Sequence, residues 1–541
     1  MPNAGTSTTR RIWQFRSWRN RGWSVCYCVL LLASPSMAFA QSPEHRSARE
    51  PDSKLSPSTT SAHLEAARSS TSDKFLGSVS CASASCHGDP HRESVVGSAA
   101  HHFWERDKHQ FAGTVLRERR SQEIAERLKL AQPPWQTREC LNCHAPGAVD
   151  SPDRETFSAM LTDGVGCESC HGSARHWINP HRSAEWKRSE IWSSQRKSEA
   201  GFLETKQLVT RVNRCADCHV GNADQSVNHD LIAAGHPRLA FEFAAFQSQM
   251  PIHWRQADER RRSPAANAPQ SPGQSTYEAR NWLIGQLVTA DHELEILSAA
   301  AQSPKVTWPE LAQYDCFGCH HELASPGWRQ ARTAWNLRPG EFQWGSWGLG
   351  LIADAQPQVP RILSDRFATD QYSLRKLMRS LSPERNEAVS LVTVLRQELA
   401  LATDRSSTAT FTVEELVAIK STLLKRHESM TNQGWDRSAQ LFLAAVALEK
   451  GANDALGMGD RVLSSRANSF IRLRELLSHH ESSGSTPSAV VRESPYRFEL
   501  NWAALRQAFQ RLQSEDKTGS PTGSGTDLPP APTKPASELD G

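Results

Sequence analysis

GVGCESCHG, residues 164–172, holds two thiols three positions apart and an imidazole directly after the second, Cys167, Cys170 and His171. The pattern recurs at Cys140, Cys143 and His144, at Cys215, Cys218 and His219, and at Cys316, Cys319 and His320. On a helix, positions i, i+3 and i+4 share one face, so two sulfurs and a ring nitrogen converge on one edge of a single flat molecule. That is the geometry of covalent haem attachment: two thioether bonds to the porphyrin, and the histidine as axial ligand to iron. Zinc ribbons and disulfides also use CxxC pairs but do not require the histidine. With 21 histidines in 541 residues, four such pairs are all followed by histidine by chance about twice in a million.

CASASCH, Cys81 to His87, is a wider relative with Cys86 as its second thiol. Its thiols stand five apart, about 140° around a regular helix, so the insert must bulge or unwind. Ala82, Ser83, Ala84 and Ser85 are small enough to allow it. The expected cofactor is haem c, four copies on the regular motifs and a fifth at Cys81 and Cys86.

Arg10, Arg11, Arg16, Arg19 and Arg21 precede the apolar stretch 25–33, and Ala38-Phe39-Ala40 has the small residues of a signal-peptidase site. The expectation is export, cleavage after Ala40 and a periplasmic location, with no transmembrane helix left behind; an uncleaved anchor is the alternative, disfavoured because the stretch is short. Cys26 and Cys28 leave with the signal, so all ten remaining cysteines fall in the five motifs. Taking five arginines from a chain of net charge +3 leaves −2. No basic patch with interleaved aromatics stands out, which excludes nucleic acid as the expected partner.

Residues 41–72, rich in Ser, Thr, Arg and Pro, read as a flexible leader. Residues 73–330 carry every motif and 16 of the histidines; residues 331–515 have no cysteine and three histidines. The tail, 516–541, is rich in Gly, Ser, Pro and Thr and reads as disordered. The fold class expected is mainly α: a loop-rich multihaem domain with few or no strands, then an all-α C-terminal domain. Helical spacing runs over 101–130 and 277–301, with a polar loop at 260–275. Thr412 and Glu415 form a capping box with Phe411 and Leu416 at the staple positions, so a helix begins at Val413. Ser382-Pro383 reads as another helix start, and 440–449 is apolar on one face. The C-terminal domain reads as a scaffold or docking bundle. Apolar content of 38% and mean hydropathy of −0.56 are lean for this length, so the porphyrins supply part of the core.

Met160 and Met250 are the only methionines in 73–330, so His/Met pairing is limited to two irons and bis-His iron is the expectation. The candidate second ligands are His101, His181, His229, His236 and His253, with His102 the alternative to His101. Pro237 fixes the backbone after His236 and starts the following helix. His91, His109, His176, His292 and His321 read as ordinary polar histidines. The 22 residues between the second and third motifs suggest that those two haems are near neighbours.

CHGDP at 86–90, GVGCESCHG at 164–172, CADCHVGN at 215–222, NHDLIAAGHPRLAFE at 228–242 and DCFGCHHEL at 315–323 resemble the multihaem c-type cytochromes with a cytochrome c-552/4-type domain, related to the tetrahaem carrier of ammonia oxidisers. The resemblance covers about residues 75–330. It implies packed, mostly bis-His haems that exchange electrons with other redox proteins or a membrane electron-transfer complex, with His101 matching a distal ligand of that family. The chain departs from the family in its widened first motif and its C-terminal extension. The rival reading is a multihaem oxidoreductase acting on a small nitrogen compound at one open haem. The similar nitrite reductases use CxxCK, however, and every motif here ends in His.

Overall fold

The computed structural model describes residues 75–89, 91, 97–149, 151–251, 253–254, 274–275, 277–316, 319–320, 342–355, 362–456, 464–478 and 501–518, all within the compact unit Pro57–Gly541. The expected signal, leader, polar loop at 260–273 and tail beyond 518 lie outside the described residues, as does His321. The fold is mainly α: among the described residues, the only strands are the two-residue antiparallel pair Gln274–Ser275 and Phe411–Thr412.

From residue 75 to 251 the chain is a series of short helices and 3-10 turns, none longer than Leu208–His219. Their starts are set by local side chains: Asp153 accepts from Thr156 N, Ser193 from Arg196 N, Asn228 from Leu231 N, and Glu242 from Ala244 N and Ala245 N. The helical spacing over 101–130 is interrupted in the structure. Helix Ala100–Trp104 ends, turns follow with a 3-10 segment Thr114–Arg117, and a second helix runs Arg119–Leu128. Two local features hold the break open. Asp107 captures the backbone N–H of His109 at 3.1 Å, and Gly113 packs where a Cβ would lie 2.0 Å from the carbonyl oxygen of Leu161. Buried apolar residues gather in two small clusters, Leu116, Leu141, Ala145, Ala148, Met160 and Leu161, and Val209, Val212, Ala216, Phe241 and Phe243 together with Ile284 and Val288 of the following helix.

Helix Tyr277–Gln302 is as the spacing predicts and is buried on nearly every side. Ile284 and Val288 meet the second small cluster, whereas Leu283, Leu287, Ala290, Leu294 and Leu297 enter a large core built with helices Asp365–Leu377, Arg385–Ser407, Val413–Lys425, Trp435–Ala455, Ser464–Leu477 and Trp502–Thr518. That core therefore includes residues on both sides of position 330. The capping box is present: Glu415 N donates to Thr412 Oγ1 at 3.2 Å and Thr412 N to Glu415 Oε2 at 2.9 Å, and the helix starts at Val413. The helix expected at Ser382-Pro383 starts instead at Arg385, because Glu384 takes the capping role, accepting from Asn386 N and Glu387 N. The carboxylate reaches two exposed amides at once, which a serine hydroxyl does not.

Inside the bundle, charges are paired where they are buried. Lys420 bonds Glu449 and lies 2.7 Å from Asp516, and Arg466 donates to Glu449 at 2.9 Å. Among the described residues, no helix is long and apolar enough to cross a membrane.

Candidate haem sites

Three of the motifs lie within helices: Arg138–His144, Cys167–His171 and Leu208–His219. At the last motif, the amides of Cys319 and His320 both donate to the carbonyl of Cys316, a helical turn of the same spacing. The wide motif unwinds as its length requires. A 3-10 turn Ser78–Cys81 ends at the first thiol, and a second turn brings the amides of Cys86 and Gly88 onto the carbonyl of Ser83. Gly172 follows the third motif at φ 81°, and a Cβ there would sit 1.9 Å from the carbonyl oxygen of Gly201; this close approach lets Leu203 N reach the His171 carbonyl at 2.9 Å.

Each motif histidine faces a second imidazole. Ring centres are 6.3 Å apart for His87 and His181, for His144 and His236, and for His171 and His253; they are 5.9 Å apart for His219 and His109, and 6.5 Å for His320 and His229. Two imidazoles bound through Nε2 to one iron, at about 2 Å each with the ring centre about 1.1 Å behind the nitrogen, stand about 6.3 Å apart. The residues thus fit haem, with the gap between each pair of rings sized for a metal atom. Zinc requires three or four ligands converging on one point; among the described residues, no group of three or more His, Cys, Asp or Glu converges in that way.

Hydrogen bonds orient the rings for this task. Nδ1 of His87 meets the Gly97 carbonyl at 2.5 Å, His144 that of Ala112 at 3.0 Å, His181 that of Ile178 at 2.6 Å and His236 that of Pro237 at 2.8 Å. An Nδ1–H donated to a carbonyl leaves the Nε2 lone pair for a metal. Burial pushes His171 and His219 down to about 4 and lowers His144, His181, His236 and His253, so these rings are neutral and able to ligate at neutral pH.

Of the five sequence candidates for second rings, the structure sets His181, His229, His236 and His253 against motif histidines and sets His101 elsewhere. The ring of His101 packs on Trp104 at 5.2 Å with Nδ1 3.6 Å from Glu105, and its neighbour His102 also meets Glu105. The remaining partner is His109, which the sequence reading placed among ordinary histidines. Its one local signal is an aspartate two residues earlier: Asp107 Oδ1 lies 3.1 Å from His109 Nδ1. His292 is ordinary, as expected, with both ring nitrogens bonded, to the Gly221 carbonyl and to Asn213 Oδ1. His91 and His176 lie exposed. His236 sits as expected before Pro237, but no helix starts there: the chain stays extended to the helix Phe243–Gln247.

The spacer residues of the motifs, which carry no signal in sequence, lock the motifs together. Glu168, between the thiols of the third motif, accepts from Leu76 N and Gly77 N at 2.8 Å and from Ala174 N at 2.7 Å. Arg214 beside the fourth motif donates to the Ser169 carbonyl of the third. Thiols approach within hydrogen-bonding range between the first and third motifs, Cys81 to Cys167, and between the second and fourth, Cys143 to Cys218. The connection between the second and third motifs contains helix Arg154–Asp163. Burial also raises the thiols of Cys140, Cys170 and Cys215, the last to about 12.

Comparison with known proteins bears on the attachment motifs. Residues 80–172 match the family described as cytochrome c554 and c-prime. A similar protein is cytochrome c-554 of Nitrosomonas europaea, 31% identical over 127 residues, which amounts to 22% of this chain and 50% of that protein. The chain thus spans half the length of the curated relative it matches, and no solved structure matches it. Over residues 80–172, which hold its first three attachment motifs, the chain is similar to the c-type cytochromes of the c554 type.

Proposed function

We propose that the protein is an exported, periplasmic pentahaem cytochrome that passes electrons between other redox proteins or a membrane complex. The observation that carries this reading is the pairing of rings: five motif histidines, each with a second imidazole 5.9–6.5 Å away. Bound haem supplies iron that cycles between ferric and ferrous states by taking up and giving up one electron. The chain's own residues determine what else is possible there. Cys81 and Cys86, Cys140 and Cys143, Cys167 and Cys170, Cys215 and Cys218, and Cys316 and Cys319 tether the groups. His87, His144, His171, His219 and His320 would each supply one ligand to a bound haem iron, and His181, His236, His253, His109 and His229 the second. Two imidazoles per iron leave no position for a substrate, which favours a carrier over an enzyme acting on a nitrogen compound. The same pairing keeps ligation unchanged between oxidation states, which favours fast exchange.

The test is a pyridine haemochrome count on the exported protein, combined with spectra in the presence of carbon monoxide, nitrite and hydroxylamine. The reading predicts five haems per chain and no spectral response. A response from one haem would instead support the oxidoreductase reading, and a count below five would contradict the pairing.

A further inference from the structure

The second ring at His219 is held by a different kind of group from those at His87 and His144. Where the Nδ1 atoms of His87, His144, His181 and His236 meet backbone carbonyls, that of His109 meets a carboxylate, Asp107, at 3.1 Å. The same carboxylate oxygen accepts the backbone N–H of His109 at 3.1 Å, and Asp107 is only 9% exposed. The peptide is clamped from the other side as well. Val165 N donates to the His109 carbonyl at 3.0 Å, next to Gly164 at φ 61°, where a Cβ would press within 2.8 Å of that carbonyl oxygen. Carboxylate, ring and peptide therefore form one rigid unit.

A full negative charge behind Nδ1–H makes Nε2 more basic than a carbonyl does, and a more basic ligand with a nearby anion favours ferric over ferrous iron. The neighbouring site lies further from that carboxylate's ring contact and has two cations of its own, although Asp107 also acts on its His253. Arg211 and Lys206 act on His171, and Arg211 also acts on His253. Arg211 is fixed by its bond to the Thr205 carbonyl at 2.8 Å and lies 5.5 Å from the ring centre of Trp254. The two sites abut through Arg214 and the Ser169 carbonyl.

We infer that Asp107 is a positioning residue that tunes one iron: it holds the reduction potential of the haem between His219 and His109 below that of the adjacent haem between His171 and His253. The inference rests on the reading that each ring pair holds a haem. An electron arriving at these two sites then resides at the third motif, and the fourth is the step it must climb. Asp107 also lies within the field of His253, so a smaller effect of the same sign extends to that site.

The experiment is a spectroelectrochemical titration of the full holoprotein carrying Asp107→Asn, with His109→Met and His253→Met marking which potential belongs to which site. Asp107→Asn should raise the potential marked by His109→Met, raise that marked by His253→Met less, and leave the other three in place; Asp107→Glu should return the first towards its original value. Five unmoved potentials, or five moving together, overturn the inference. So does conversion of the His219 site to high spin in Asp107→Asn, which would reduce Asp107 to a support for the ring. If Asp107→Asn is exported without its haems, the assignments in the otherwise native protein decide: the potential marked by His109→Met must lie below that marked by His253→Met, and the reverse order overturns the inference. A wild-type count below five haems sinks the parent reading and this one together, whereas five haems with unmoved potentials sink this one alone.

Discussion

Residues 75–251 and the helices from Tyr277 onward solve the problem of holding a chain together by different means. The second region has one large apolar core crossed by helices such as Tyr277–Gln302, Arg385–Ser407 and Trp435–Ala455. Its helices are long enough for packing of one face to stabilise them. The first region has helices as short as the five residues of Cys167–His171 and His229–Ala233, and two small clusters of buried apolar residues, one of them completed by Ile284 and Val288 of helix Tyr277–Gln302. Helices of that length are marginal alone. On the proposed reading, what fixes them instead is attachment: a porphyrin tethered through two sulfurs and gripped by two rings would tie together segments far apart in sequence. Cofactor binding would then stabilise the first region, as hydrophobic burial stabilises the second.

The comparison breaks most directly in chain produced without haem attachment. The account predicts that hydrogen exchange is then fast over 97–251 while the amides of 385–455 stay protected, and that far-ultraviolet dichroism retains a cooperative melt from the bundle. Protection of 97–251 in the haem-free chain would show that region to be self-supporting. A smaller effect sharpens the same contrast from the other side. Leu287 is fully buried on the bundle side of Tyr277–Gln302, and Leu287→Ala should cost about 2–5 kcal/mol of bundle stability in denaturant titration. The haem spectra of the folded variant should be unchanged. Loss of low-spin absorbance while the bundle remains folded would mean that the two regions share their stability.

Local signals were legible in the sequence and cross-chain signals were not. The attachment motifs, the helix over 277–301 and the capping box of Thr412 and Glu415 depend on residues within a few positions of one another, and each is where the spacing puts it. The break after Trp104 is hidden because apolar spacing continues through it; of its causes, the bond from His109 N to Asp107 is local, whereas the contact of Gly113 with Leu161 depends on tertiary approach. The second rings follow the same division. His236 and His253 stand in segments close to the fourth motif yet face the second and third. A gap the width of an iron atom imposes no period on the sequence, so the choice of His101 over His109 could not be corrected from spacing. The aspartate two residues before His109 was the one available clue, and it has meaning only once the ring is seen against His219. The large core likewise spans position 330, because Tyr314 and Trp344 pair across it while the composition changes there.

The central claim is that every attached iron has two imidazoles, and electron paramagnetic resonance of the ferric protein with spin quantitation tests it most directly. The account predicts low-spin signal equal to five haems per chain with no high-spin component, and one haem's worth of high-spin signal appearing in His109→Ala. A high-spin component in the wild-type protein, or a His109→Ala spectrum identical to it, contradicts the account.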